Sequence, residues 1–144
     1  MNLIIRRASV SWKGGAQGGS RSITTEGSLL RRAKLSPGLS VKNDSETDPA
    51  ELIAAAHASS FSLALSQELG LKISARGEMV TAARMTLERL AAGWMITDIH
   101  LNVVARLPGV TQNRFIDATV RAKTNCLVSR LLGTNILMIA KLEK

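Results

Sequence analysis

The 144-residue sequence is poor in the residues that build covalent and metal-bound sites, since it has one cysteine and two histidines. One cysteine, Cys126, excludes an internal disulfide and a cysteine-rich metal site, and His57 and His100 are too far apart to suggest a ligand cluster. No apolar run reaches the roughly 20 residues that span a bilayer, and the N-terminal charges follow a short apolar patch, the reverse of a signal peptide. We therefore expect no structural metal, no cofactor and no membrane span, and a cytoplasmic location.

Aromatic residues are also scarce, at 3% of the chain, whereas the formal net charge is +8. A positive charge of this size attracts polyanions, so nucleic acid has to be considered as a partner. The 19 basic residues are spread along the whole chain, however. The few aromatic residues also lack the spacing of a base-stacking platform. We interpret the charge as a solvated basic surface and do not expect nucleic acid to be a partner.

The longest apolar stretch, residues 47–70, predicts a central buried helix. Asp48 is suited to cap its first turn, Pro49 to occupy the first helical position, and Glu51 to act as a capping-box acid. The middle of the stretch is rich in alanine and carries no charge on any face. Gly70 can take the left-handed conformation that ends many helices.

Alternation and turn residues predict the remaining elements, and the chain length fits a single domain over residues 1–144. Antiparallel hairpins separated by helices indicate an α+β domain rather than a doubly wound one. The glycine-rich segment 14–20 lacks the order of a phosphate-binding loop and is predicted to be a hairpin loop. His100 falls on the polar face of a strand and is predicted to lie at the surface, while Cys126 falls at the inner end of a helix and is predicted to be shielded. The predicted strands cover residues 3–12, 21–25, 28–30, 71–89, 94–107 and 135–142, and the predicted helices cover residues 47–70, 112–125 and 128–132.

Several motifs spread over essentially the whole chain together resemble one known family, the osmotically inducible protein C and organic hydroperoxide resistance (OsmC/Ohr) family. The resemblance implies an intertwined homodimer, in which antiparallel sheets wrap around two central helices. It also implies sites at the dimer interface that accept a small apolar or hydroperoxide ligand. The motifs are W-x-G at Trp12 and Gly14, SITTEG at 22–27, TDPAELIAAAHA at 47–58, LPG at 107–109 and AKTNCLVS at 122–129.

Members of this family resemble thiol peroxidases, and the resemblance implies where the two thiols would lie. One cysteine in the middle of the long helix attacks the peroxide and becomes a sulfenic acid, and a second cysteine condenses with it to a disulfide. The first, peroxidatic position falls on Ser60 in this sequence. The second, resolving position falls on Cys126, which is followed by Leu127 where the family usually has proline.

The residues that support the thiolate are also altered relative to the family. The hydroperoxide-resistance branch takes its thiolate-stabilising arginine from a pattern that Arg21 matches. The osmotically inducible branch takes its arginine from the loop before the helix, where this chain has Ser40. The family's glutamate just after the proline of the helix motif falls on Ala50. The resemblance therefore implies one remaining support, Arg21.

Ser60 cannot replace the missing thiol, because a hydroxyl forms no sulfenic acid. A hydrolytic Ser60 with His57 as its base is also disfavoured, because the sequence has no G-x-S-x-G motif and no acid placed to orient the imidazole. We therefore expect an OsmC-like stress-response protein whose peroxidase activity is lost or reduced. One alternative is a one-cysteine hydroperoxide reductase that uses Cys126, with Arg21 or Arg130 as the thiolate partner. The other is a non-catalytic basic binding protein.

Overall fold

The computed structural model describes residues 2–14, 19–39, 43–71 and 76–144 and divides into two compact units, Met1–Leu52 and Ile53–Lys144. The described residues form two three-stranded sheets and three helices, which confirms the predicted α+β class. No helix in this part of the chain has both the length and the apolar character to cross a membrane. In chain order the elements are β1 Ala8–Lys13, β2 Ser20–Thr25, β3 Ala33–Lys34, α1 Pro49–Glu68, β4 Glu78–Leu90, β5 Gly93–Arg106, α2 Gln112–Asn125, α3 Leu127–Leu131 and β6 Ile136–Leu142.

The N-terminal unit holds an antiparallel sheet in the order β1-β2-β3. Lys13 pairs with Ser20 across β1 and β2, which confirms a hairpin at the glycine-rich segment, although residues 15–18 lie outside the described part. The third strand predicted at residues 28–30 is wrong. A hydrogen bond of 2.9 Å from the Thr25 N–H to the Leu30 carbonyl closes a wide turn there, so the chain returns to the sheet only at β3.

Helix α1 begins and ends as its sequence predicts. The Asp48 carboxylate accepts the Glu51 N–H at 2.8 Å, and Glu51 in turn accepts the Thr47 hydroxyl at 3.0 Å. Gly70, with φ of 64°, takes the left-handed conformation just past the helix. In the single chain the predicted central helix is buried along one side, and Leu63 is 61% exposed. The buried residues form one stripe at four-residue spacing, consisting of His57, Phe61 and Leu65.

The second unit is built on a long hairpin of β4 and β5, to which β6 adds. Alternate residues of β5 enter the core, as predicted. The expectation of purely antiparallel sheets is wrong, because β6 pairs with β5 in parallel. The two helices between these strands carry the chain back to the end where β5 starts, as a parallel pair requires. The inward side chains of β5 are Ile99, Leu101, Val103 and Ala105.

Helix α2 has the predicted bounds and closes the core of the second unit. The Thr111 hydroxyl caps it by accepting the Arg114 N–H at 3.3 Å. Its inner stripe packs with α1 side chains and the inward face of β5 in one apolar cluster that also contains Cys126. Cys126 is 2% exposed, which confirms that its side chain is shielded.

Candidate functional site

Ser60, in the middle of α1, reaches across to the start of α3. Its half-buried hydroxyl accepts the backbone N–H of Val128 at 3.3 Å. The preceding Ser59 is exposed, and its hydroxyl donates at 3.0 Å to the Ala56 carbonyl of its own helix. Two adjacent serines of one helix therefore have different partners, and of these two only Ser60 contacts the segment after α2.

Cys126 sits at the junction of α2 and α3 and caps both helices. Its N–H donates to the Ala122 carbonyl at 2.9 Å, and its sulfur accepts the Ser129 N–H at 3.4 Å. Its backbone is extended, with φ of −66° and ψ of 148°, so the chain turns sharply between the two helices. Because Ser60 bonds to Val128, two positions after Cys126, the two sequence-predicted thiol positions lie in one region of the second unit.

A chain of three polar side chains runs from Cys126 to α1 within this region. The thiol donates to the Ser129 hydroxyl oxygen at a distance of 2.9 Å. The same oxygen lies 2.9 Å from Nε2 of His57. The Ser129 hydroxyl has one hydrogen and two lone pairs, so which of the two atoms donates in its contact with Nε2 depends on the imidazole tautomer.

His57 is completely buried, at 0% exposure, and burial lowers its pKa below the ordinary value of 6.5 because the charged form loses its hydration. The imidazole is therefore neutral at neutral pH, and its Nε2 is hydrogen-bonded to the Ser129 hydroxyl. Its Nδ1 is buried without a hydrogen-bond partner among the described residues. The sequence had suggested His57 as a neighbour of Ser60, whereas the structure gives it Ser129, which is 72 positions away.

Arg21, the third sequence-predicted site residue, lies in the N-terminal unit on β2. Its guanidinium carbon is 5.3 Å from the centroid of the Trp12 ring, and its Nε donates to the Leu35 carbonyl at 3.4 Å. Its role as a thiolate partner stays a prediction. Arg130 is exposed in α3, where its N–H donates to the Cys126 carbonyl at 3.1 Å. Ser40 lies outside the described residues.

The side chains of the described residues that could bind a metal ion do not form a metal site. Among the described residues no group of three or more His, Cys, Asp or Glu side chains is placed to hold a metal ion. His100 lies on the polar face of β5, as predicted, with its Nε2 2.9 Å from the Asp98 carboxylate. That face is opposite to the inward side chains of β5.

Comparison with known proteins gives the family. The profile described as "OsmC-like protein" matches residues 42–140. The chain belongs to the OsmC-like family. It is 31% identical to peroxiredoxin OsmC of Escherichia coli over 140 residues, which cover 97% of this chain and 98% of that relative. The segment matched by the OsmC-like profile contains the Ser60 contact and the polar chain from Cys126 to His57, whereas Arg21 precedes it.

Solved structures of OsmC-like and related proteins have the same fold. An OsmC-like protein of unknown function from Vibrio cholerae matches with a TM-score of 0.74 and 17% identity, over 96% of this chain and 99% of that chain. An organic hydroperoxide resistance protein from Elizabethkingia anophelis matches with a TM-score of 0.72 and 23% identity, over 99% and 98% respectively. Together with the family profile, these matches confirm the resemblance that the sequence motifs indicated.

Proposed function

We propose that this protein descends from thiol-dependent hydroperoxide reductases of the stress response, and that its own two-thiol peroxidase cycle is lost or much reduced. The contact between Ser60 and Val128 carries the proposal. A hydroxyl occupies the position where the resemblance places the peroxidatic thiol, and it lies beside the segment that holds the only cysteine of the sequence. A two-thiol cycle ends in a disulfide, which requires two sulfur atoms.

The geometry also argues against a hydrolytic replacement of that cycle. A serine nucleophile needs a base within hydrogen-bond reach of its hydroxyl. The Nε2 atom of His57 contacts Ser129, and the Ser60 hydroxyl is engaged by a backbone amide. Ser60 therefore stands at the position of the peroxidatic cysteine, but no base contacts its hydroxyl among these hydrogen bonds.

The test is steady-state consumption of cumene or tert-butyl hydroperoxide with a dithiol reductant. We compare the wild type with Ser60→Cys, which restores the second sulfur, and with Cys126→Ser. We expect activity well above the wild-type level in Ser60→Cys and none in Cys126→Ser. Strong wild-type activity that disappears in Cys126→Ser would contradict the loss of function.

A second candidate function is a one-thiol hydroperoxide reductase that uses Cys126. The observation that favours it is the hydrogen bond of 3.4 Å from the Ser129 N–H to the Cys126 sulfur, because a donor to sulfur stabilises the thiolate. In this function the sulfenic acid formed on Cys126 is reduced by an external thiol. Slow turnover by the wild type that is abolished in Cys126→Ser would support it.

We also propose that the two units form one OsmC-like domain, since the match to peroxiredoxin OsmC of Escherichia coli covers 97% of this chain. The protein is proposed to act as a cytoplasmic homodimer that takes a small apolar or hydroperoxide ligand at the interface between its subunits. Large apolar side chains remain exposed on each of the three helices that the described residues form, a pattern typical of interaction surfaces. These exposed side chains are Leu63 on α1, Ile116 and Val120 on α2, and Leu127 and Leu131 on α3.

A further inference from the structure

The positive charge of the chain comes mostly from residues 1–38. This segment has seven basic residues and one acidic residue, a formal net charge of +6, whereas the rest of the chain has twelve basic and ten acidic residues and contributes +2. The one acidic residue, Glu26, already accepts a hydrogen bond from the Arg7 guanidinium at 3.0 Å. The segment therefore has a local excess of positive charge, which attracts anions.

One face of the hairpin of β1 and β2 carries a double row of hydroxyl groups, and we call it the hydroxyl face. It lies wholly within the N-terminal unit. Residues that pair across antiparallel strands place their side chains on the same face, and alternate residues such as Val10 and Trp12 belong to the opposite face. The pairs of the hydroxyl face are Ser9 with Thr24, Ser11 with Ser22, and Lys13 with Ser20.

An open cavity of about 370 Å³ lies on the hydroxyl face, a volume in the range of small-ligand sites. Its lining residues are exposed or half-buried, so a ligand has access from solvent. Lys13 and Arg32 line it together with the hydroxyl groups, and Lys34 on β3 lies opposite Ser22 on the same face. Among the described residues no carboxylate is within ion-pair distance of these three cations. The cavity therefore offers hydrogen-bond donors and uncompensated positive charge, the requirements of an anion site.

Arg32 lines this cavity in a backbone conformation that residues other than glycine seldom adopt. Its φ is 53°, in the left-handed region. Its N–H donates to the Thr24 hydroxyl at 3.0 Å, which fixes its backbone to the hydroxyl face. Glycine would adopt this φ with less strain, so the backbone does not favour arginine here. The guanidinium group, which binds phosphate with several donors at once, accounts for an arginine at this position.

We propose that the hydroxyl face binds a small, multiply phosphorylated molecule. Its phosphate oxygens accept hydrogen bonds from the serine and threonine hydroxyls, and its charge pairs with Lys13 and Arg32. Ser20 and Thr24 are four residues apart on β2, about 14 Å at the rise of an antiparallel strand, so the face has room for more than one phosphate group. The described lining residues include no aromatic side chain, so a nucleobase has no stacking partner there and the phosphates dominate recognition. This site goes beyond the proposed function, because it uses no thiol.

Isothermal titration calorimetry of the intact protein with inorganic triphosphate, in buffer without divalent metal ions, tests the proposal. We expect triphosphate to bind about 10-fold or more tightly than orthophosphate, because it contacts more of the donors at once. The affinity should fall between about 0.01 M and 0.15 M salt, since salt screens exposed charges. No measurable binding of triphosphate at the lower salt concentration would overturn the proposal. A short oligo(dT) that binds more tightly than triphosphate would overturn the assignment to a small ligand.

Variants of the hydroxyl face separate a built site from general charge attraction. Lys13→Gln and Arg32→Gly each remove one cation, and each should weaken triphosphate binding by about 5-fold, the upper end for an exposed charge pair. Arg32→Gly also relaxes the left-handed backbone, so its fold should be at least as stable as that of the wild type. The double variant of Ser11→Ala and Ser22→Ala keeps every charge, and it should also weaken binding because two hydrogen-bond donors are lost.

The matched control is Arg89→Gln, which removes an exposed cation of the second unit and should leave the affinity unchanged. A loss of affinity in Arg89→Gln equal to that in Lys13→Gln would reduce the effect to net charge and overturn the site. Wild-type affinity in the double serine variant would contradict recognition by the hydroxyl groups. These results are independent of the peroxidase assay, because every variant keeps Ser60 and Cys126. An inactive Ser60→Cys variant would in turn leave the phosphate site unaffected.

Discussion

His57 on α1 and Ser129 on α3, separated by 72 positions in the sequence, meet with 2.9 Å between Nε2 and the hydroxyl oxygen. The imidazole is completely buried, so the helix that carries the motif histidine is fixed against the segment that carries the cysteine. Because burial disfavours the charged imidazole, the stability of the fold is coupled to the protonation of His57.

Acid should therefore destabilise the protein through His57. Burial lowers its pKa in the folded state below 6.5, so below that pH the unfolded chain binds the proton more readily. The free energy of unfolding is expected to fall as the pH drops below 6.5, and this contribution is absent above it. Urea unfolding at pH values above and below 6.5 measures the change in the free energy of unfolding. His57→Gln lacks the titrating group, so pH curves that run parallel for this variant and the wild type would contradict the assignment.

The exposed apolar surface of the helices predicts self-association. Leu131→Glu places a charge on the proposed homodimer surface and should shift the protein toward monomer, because burying an unpaired carboxylate opposes association. Asn125→Glu adds the same charge at an exposed polar position of α2 and serves as the control. Sedimentation velocity distinguishes the monomer from the dimer. A wild type that sediments as a monomer over the whole concentration range would disprove the dimer.

The core of the second unit should depend strongly on Phe61. This side chain is completely buried in the cluster that α1 makes with β5 and α2. Phe61→Ala is expected to lower the free energy of unfolding by about 3–5 kcal/mol, through lost burial and the cavity left behind. Gln67→Ala, on the exposed side of the same helix, should change it by less than about 0.5 kcal/mol. Chemical denaturation of the two variants gives the comparison.

Helix caps and hydrophobic alternation in the sequence correctly predicted the helices and strands whose ends and faces depend on neighbouring residues. The Asp48 cap and Gly70 fix the ends of α1, and the alternation from Ile99 to Ala105 correctly assigned the inward face of β5. Helix α2 has the predicted bounds for the same reason, since its Thr111 cap is readable in the sequence. The family motifs then gave the fold class that the structural relatives confirm.

These patterns could not predict contacts between segments that are far apart in the sequence. The parallel pairing of β6 depends on where α2 and α3 return the chain, and the late start of β3 depends on a turn closed by Leu30. The contact of Ser60 with Val128 spans 68 positions, so no periodicity within α1 indicated it. For the same reason the sequence gave no partner for His57 beyond the disfavoured pairing with Ser60, and only the structure identified Ser129.

Leu127, which follows Cys126, stands where the family usually has proline, and this difference predicts an effect on stability. Leu127 is the first residue of α3, a position that suits proline because its N–H lies outside the helical hydrogen-bond ladder. The extended backbone of Cys126, with ψ of 148°, is also the conformation that a following proline favours. Leu127 is 78% exposed, so little packing is lost in the single chain.

We expect Leu127→Pro to raise the free energy of unfolding by about 0.4–1 kcal/mol, chiefly by restricting the unfolded chain. The matched control is Leu131→Pro, at the C-terminal end of the same short helix. There the missing N–H and the steric clash of the ring should cost about 3 kcal/mol. Urea unfolding in reducing buffer measures both variants. If Leu127→Pro destabilised the protein as much as Leu131→Pro, the junction at Cys126 would not have the backbone conformation described above.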